Sequence, residues 1–426
     1  MRLLLAIALL SSVGAEAQGR YSRFSRCAQG RSDRGLPCDD LATLEFAPAS
    51  GAGLTAACAC ASVSGARGET VTFARTGVAT CSPLGTATTG IATASLVECA
   101  TGTPRVEASG TARGLRIEGA RTNSLLRFID YANVLWTDVS TPTLTGAQPS
   151  PWTGTYANLA VQFDDDSAVA QEGRAQTVTV TAAAVYTMSC YVKAGSLADA
   201  TISLDGTTAS VTGISSSTWT IISVTDASTS GVAVSAQVLN GDAVGDTGTV
   251  VWGGCQVEAG AYRTSMIPTT GATVTRNAES AYVTVAAFSP QSLAATADVP
   301  YTSSAAVGTN RRVVRVDNNS SDVDVFEMFW PATNFMASYV SVSSVAQTRQ
   351  TAAGLSLPGS HRLAGWRIPS TTQAVIADGA ETTAATALGA LPVLNRVHLG
   401  VYPAAGFELD GVLSLVQVDT SPTRAR

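Results

Sequence analysis

The sequence predicts an all-β protein: two β-sandwich (jelly-roll) domains in tandem, behind a cysteine-rich N-terminal segment. Three observations carry that expectation. Runs of period-two alternation recur along the chain, as at residues 175–183 (AQTVTVTAA) and 186–193 (YTMSCYVK), and such alternation puts every second side chain on one face of a strand. Gly, Ser, Asn and Asp separate the runs at short intervals, and no stretch carries a 3.6-residue apolar stripe. Only 14% of the residues are charged, and the abundance of Thr and Val suits pleated surfaces better than helices. A chain of 426 residues also exceeds what one hydrophobic core organises.

Residues 1–17 hold Arg2, an apolar run from Leu3 to Leu10, and small residues ending Ala15-Glu16-Ala17. That is the pattern of a signal peptide cut after Ala17, and the run is too short to span a membrane. The mature chain is therefore expected to be secreted or on the cell surface. Residues 18–105 form the cysteine-rich segment, with Cys27, Cys38, Cys58, Cys60, Cys81 and Cys99; Cys190 and Cys255 stand apart. An even number of cysteines in an exported chain predicts disulfides rather than zinc, since C-x-C at Cys58 and Cys60 is no paired zinc knuckle. A bridge between Cys27 and Cys38 would pin the basic stretch Arg20, Arg23, Arg26, Arg31 and Arg34. Apart from that cluster, the net charge of −6 leaves no basic face for nucleic acid. Two histidines, His361 and His398, are too few for most imidazole-based metal sites or dyads.

The strand pattern begins with VTFAR at residues 71–75 and continues through ATISLD, TASVTGI, WTIISVTD and VAVSAQVL between residues 200 and 239. Two stretches frame it: GLRIEGARTN at residues 114–123 and VWGGCQVEAGAYRTSMIPTT at residues 251–270. The positions Phe73, Arg75, Ala79, Thr80, Pro104, Arg105, Ile117, Glu118, Ala120, Arg121, Thr122 and Asn123 open a signature. Trp252, Gly253, Gln256, Glu258, Gly260, Thr264, Ser265, Ile267, Pro268, Thr269, Thr275 and Arg276 close it, and YVKAG at residues 191–195 supplies its central strand. Over residues 71–283 the chain resembles a carbohydrate-binding-module-like jelly roll of phage tail-fibre and other virion proteins. The resemblance implies attachment without chemistry; the domain is set at residues 106–283. Glu118 and Arg121 are expected to pair with Arg276 and Glu258 where the two ends of the domain meet. WGGCQ is one residue longer than the usual W-G-x-Q, which predicts a bulge. Cys190 and Cys255 fall on strands that could be neighbours, so a bridge between them is open.

Residues 284–426 carry a second pattern: SLAATADVPY, RRVVRVDN, DVDVFEMFW, HRLAGWRI, AVIADGAE and GVLSLVQVD. With Asp378-Gly379 and Leu409-Asp410-Gly411, this half resembles concanavalin A-like (LamG-type) sandwiches. Retaining glycosidases on that fold carry E-x-D-x-x-E on a bulged strand, where two carboxyl groups act as nucleophile and acid. Asp322, Asp324 and Glu327 are the degenerate counterpart and the only catalytic candidates. Asp164 and Asp166, in the Asp164-Asp165-Asp166 run, are candidates for a structural calcium, with an acidic surface turn as the alternative. Sugars stack on exposed aromatic rings; Trp152, in the loop QPSPWTGTY, and Trp330, before Pro331, are the ligand-binding candidates. Trp136, Trp219, Trp252 and Trp366 sit in strand-like contexts expected to be core. No P-loop, dinucleotide fingerprint, H-E-x-x-H or G-x-S-x-G motif occurs. The expected function is non-catalytic binding of a glycan or polysaccharide at a bacterial or virion surface, with no cofactor and no membrane span. The alternatives are a trimerising, homo-oligomeric fibre component and a degenerate glycosidase using Asp324 and Glu327.

Overall fold

A computed structural model describes residues 41–45, 58–60, 70–77, 79–81, 91, 95–109, 112–288, 290, 292–299, 311–318, 324–330, 335–343, 345–354, 359–368, 372–378, 380–385, 394–400, 409 and 411–419. The leader, the basic stretch with Cys27 and Cys38, and Asp322 lie outside these residues. Among the described residues every regular element is a β-strand apart from one 3-10 turn at Gly154–Tyr156. No described helix is long and apolar enough to cross a membrane. The alternating runs become strands such as Gly173–Thr179, Tyr186–Ala194, Arg311–Asp317 and Gly411–Asp419.

Two sandwiches result, each with its own core. One pairs a nine-stranded sheet with a seven-stranded sheet; the other pairs two five-stranded sheets. The first core gathers Val71, Leu115, Ile117, Val283, Leu293, Phe326, Met328, Trp330 and Val416, among others. The second gathers Trp136, Phe163, Met188, Ile202, Val238, Trp252 and Val257.

The boundaries differ from those read along the chain. Val71–Ala74 pairs with Ser280–Phe288 in the seven-stranded sheet. Gly411–Asp419 lies between Ala112–Ile117 and Ser292–Val299 in the nine-stranded sheet, and Leu41–Glu45 pairs with it too. Strands from residues 41–117, apart from the separate pair Ala79–Cys81 and Val97–Cys99, thus belong to the same sandwich as those from residues 280–419, and the jelly roll is inserted between them. The division at residues 105/106 and 283/284 is therefore corrected. Alternation reports which face of a strand is buried, but not which distant strand it will join.

The chain leaves the first sandwich and returns to it through a short ladder, Arg121–Asn123 against Val274–Arg276. Around that ladder the signature residues meet as expected. Arg276 Nη1 lies 2.8 Å from Glu118, and Arg121 Nε lies 3.6 Å from Glu258. Glu118 also takes Arg105 at 2.8 Å and Arg116 at 3.2 Å, while Glu279 takes Arg75 at 2.9 Å and Arg105 at 2.6 Å. Apart from Arg121, these side chains have almost no exposure. Burial pushes the Glu118 carboxyl upward, but Arg276, Arg105 and Arg116 overcome it and hold the group well below the usual carboxylate range. Glu107 and Glu258, with weaker guanidinium support, are raised by burial. A buried pair tolerates little displacement, so this junction fixes how the insert joins its host.

In the insert, Cys190 and Cys255 are direct cross-strand partners and are disulfide-bonded. Cys81 and Cys99 are disulfide-bonded as well. The bulge expected in WGGCQ is present: Tyr191 pairs with Gly254 and Val192 with Trp252, leaving Gly253 as the extra residue. The shift lets Trp252 and Cys255, three apart, face the same core. Only glycine fits there, because a Cβ on Gly253 would lie 2.7 Å from the Trp219 ring.

Candidate binding face on the seven-stranded sheet

Along Val325–Trp330, Phe326, Met328 and Trp330 enter the core, so Val325, Glu327 and Phe329 point to the opposite face. The same parity turns Arg315 and Asp317 outward from Arg311–Asp317, His398 and Arg396 from Leu394–Leu399, and Tyr282 from Ser280–Phe288. The register then aligns one cross-strand row: Tyr339, Glu327, Arg315, His398 and Tyr282 are successive direct partners on five adjacent strands. Directly opposed side chains stand close enough to interact.

The row is knitted by charge. Arg315 Nε donates to Asp317 at 2.8 Å, and its Nη1 reaches Glu327 at 3.4 Å. His398 Nε2 lies 3.2 Å from the Asp317 carboxylate. Arg312 Nε donates to Glu327 at 2.8 Å. Arg312 and Arg315 would face opposite sides of a regular strand. A bulge between Arg312 and Val314 brings both to one face and sends Val313 and Val314 into the core. The expected bulge thus lies one strand away from the carboxylates it was meant to turn.

Two guanidinium groups lie over aromatic rings on this face: Arg396 over Tyr282 at 4.2 Å and Arg312 over Phe329 at 4.8 Å. Arg315, Asp317, Glu327 and His398 are buried, whereas Tyr282, Tyr339, Arg312 and Arg396 are half-buried. The deep members orient one another and the shallower tyrosines and guanidinium groups reach solvent. Planar rings beside fixed hydrogen-bond donors form an arrangement suited to a ring-shaped polar ligand.

Of the catalytic, binding and metal candidates predicted from sequence, only Glu327 joins this row. Asp324 has the parity of the core side and its Oδ1 accepts the Ser343 amide at 2.8 Å, holding the next hairpin turn. Asp324 and Glu327 thus have opposite parity along their strand, and Asp322 lies outside the described residues. Trp330 is fully buried in the core, its ring 6.1 Å from His361, so it cannot offer a face to a sugar. The corrected reason is parity: its strand directs even-numbered residues inward.

Trp152 is also fully buried, and its assignment as an exposed ring is likewise corrected. Its Nε1 donates to the Gly253 carbonyl at 3.1 Å, among Phe128, Tyr156 and Tyr191. A segment from the host sandwich covers it. The Leu96 amide donates to the Pro151 carbonyl at 2.8 Å, Ile91 exchanges two hydrogen bonds with Trp219, and Leu96 is buried with these rings. Trp136, Trp219 and Trp252 are core residues, as expected.

Asp164 and Asp166 are exposed, whereas Asp165 between them is buried and accepts the amides of Ser167 and Glu172 at 3.0 and 2.9 Å. The run is a turn organised by its middle residue, and no group of three or more His, Cys, Asp or Glu among the described residues could hold a metal. Asp164 and Asp166, the calcium candidates, stand exposed on either side of the buried Asp165.

No family model and no curated protein matches the chain. Among solved structures, an arabinose-bound MgGH51 α-L-arabinofuranosidase is 18% identical at TM-score 0.26, over 36% of this chain and 28% of that one. The CBM22-1–CBM22-2 tandem domain of Paenibacillus barcinonensis Xyn10C is 10% identical at TM-score 0.25, over 72% of this chain and all of that one. Domains LG4-5 of the mouse laminin α1 chain are 11% identical at TM-score 0.24, over 66% and 94%. Likeness at this level carries no functional argument.

Proposed function

We propose that this is an extracellular, non-catalytic glycan-binding protein that takes its ligand on the outer face of the seven-stranded sheet. The observation that supports it is the row Tyr339–Glu327–Arg315–His398–Tyr282, in which buried charges orient one another between two half-buried tyrosines. Disulfides at Cys190–Cys255 and at Cys81 and Cys99 fit an oxidising compartment. The test is a glycan array probed with the whole secreted chain, followed by calorimetry on any binder. Tyr282→Ala and Tyr339→Ala should each weaken binding about tenfold, within the range for one lost aromatic contact. Unchanged affinity in both variants would move the site elsewhere.

A further inference from the structure

We infer that the strand Thr207–Val211 is a self-association edge, where a second copy of this chain adds its own Thr207–Val211 antiparallel about a two-fold axis through Ala209. The strand closes one end of a five-stranded sheet of the insert and is paired on one side only, with Ala200–Leu204, in unbroken register. Thr207, Thr208 and Ser210 are exposed or nearly so, and Ala209 and Val211 are half-buried at the margin of the insert core. A bare edge of this kind offers a row of backbone donors and acceptors to a further strand.

The other ends of the four larger sheets are blunted. Thr143–Gln148 is interrupted in register between Thr145 and Gln148. Thr220–Asp226, the edge beside Thr207–Val211 on the facing sheet, is met at Trp219 by Ile91 and ends in a carboxylate. Thr137–Val139 and Cys58–Cys60 have only three residues, and Val71–Ala74 has four. Val345–Gly354 and Ala380–Ala385 contain Arg349 and Glu381. Thr207–Val211 has no charge, no proline and no bulge. Its sequence also suits a copy of itself. Pairing about Ala209 sets Thr207 opposite Val211 and Thr208 opposite Ser210, so no charge meets its own image although the chain carries a net −6. The added strand covers the open side of Ala209 and Val211. A patch that is its own partner closes as a dimer rather than growing into a fibre.

The pairing spans five residues, so its area is small and the dimer reversible. The experiment is sedimentation equilibrium of the whole mature chain across a wide concentration range, with two double variants at the outward positions of the strand. The wild type should pass from monomer to dimer as concentration rises. Thr208→Lys with Ser210→Lys sets lysine opposite lysine across the axis and should weaken the dimer about tenfold. Thr208→Lys with Ser210→Glu sets lysine opposite glutamate and should restore it, more strongly at low salt. Thermal melts confirm that both variants fold. A wild type that stays monomeric at every concentration overturns the inference and leaves this edge to a strand from another protein. A trimer, a dimer indifferent to the first variant, or equal loss in both variants overturns it too, because each is incompatible with two-fold pairing about Ala209. The measurement uses no ligand, so its failure leaves the glycan-binding reading untouched.

Discussion

Two clusters in this molecule are made of the same chemistry and stand in different surroundings. At the junction, Arg75, Arg105, Arg116 and Arg276 meet Glu107, Glu118 and Glu279 with almost no exposure. On the seven-stranded sheet, Arg312 and Arg315 meet Asp317 and Glu327, with half-buried Arg396, Tyr282 and Tyr339 at the margins. The first is sealed between two chain crossings, so its charges serve one another and hold the insert to its host. The second keeps half-buried members, Arg312, Arg396, Tyr282 and Tyr339, around its buried ion pairs. Exposure of the outer members, rather than the pairing itself, separates architecture from recognition.

Matched substitutions break or sharpen that contrast. Glu118→Gln leaves three buried guanidinium groups without their shared carboxylate and should destabilise the protein by about 3–5 kcal/mol, measured by denaturant unfolding. Glu327→Gln should cost only about 1–3 kcal/mol and act mainly on ligand affinity. If the two variants lose equal stability and neither alters binding, both clusters are architectural.

Leu96→Ala tests the cap over Trp152, Tyr191 and Trp219. Truncating this buried leucine should cost about 2–4 kcal/mol and shift tryptophan emission to the red as water reaches the rings. Glycan affinity should stay constant, because the cap lies on the other sandwich. A large change in affinity would relocate the binding face.

Acid gives the smallest effect. Glu118 is held below its unfolded value of about 4.3, so its contribution is present above that pH and is lost as pH falls through the folded value. Burial raises Glu107 and Glu258, so their contribution has the opposite sign: it is present at low pH and lost as pH rises, which blunts the acid loss. The melting temperature of the wild type should fall below about pH 4, and the fall should be shallower in Glu118→Gln. Parallel pH profiles would show that Glu118 is not the acid-sensitive group.

Much of the junction was legible in the sequence. Glu118 with Arg276 and Arg121 with Glu258 follow from two dense signatures, and the extra residue in WGGCQ announces its own bulge. The cross-strand row was not legible. Arg315, Asp317, Arg396, His398 and Tyr282 look like ordinary outward residues of alternating strands, and RRVVRVD hints at its bulge only through two adjacent valines. Nothing in a single strand says that these positions will be neighbours. Trp152 misled for a related reason: a Pro-rich loop reads as exposed until a distant segment, residues 91–96, is laid across it.

By itself the sequence determined the strand content, the two cores and the faces that fill them, because alternation and turn chemistry act within a few residues of one another. The tertiary structure alone decided that one sandwich is inserted into the other, which strands lie side by side, and which charges converge. Those outcomes depend on pairing between segments as distant as Val71–Ala74 and Ser280–Phe288. Local propensity is the same whichever partner is chosen, and only the closed sheets, with their inner faces dry, select one.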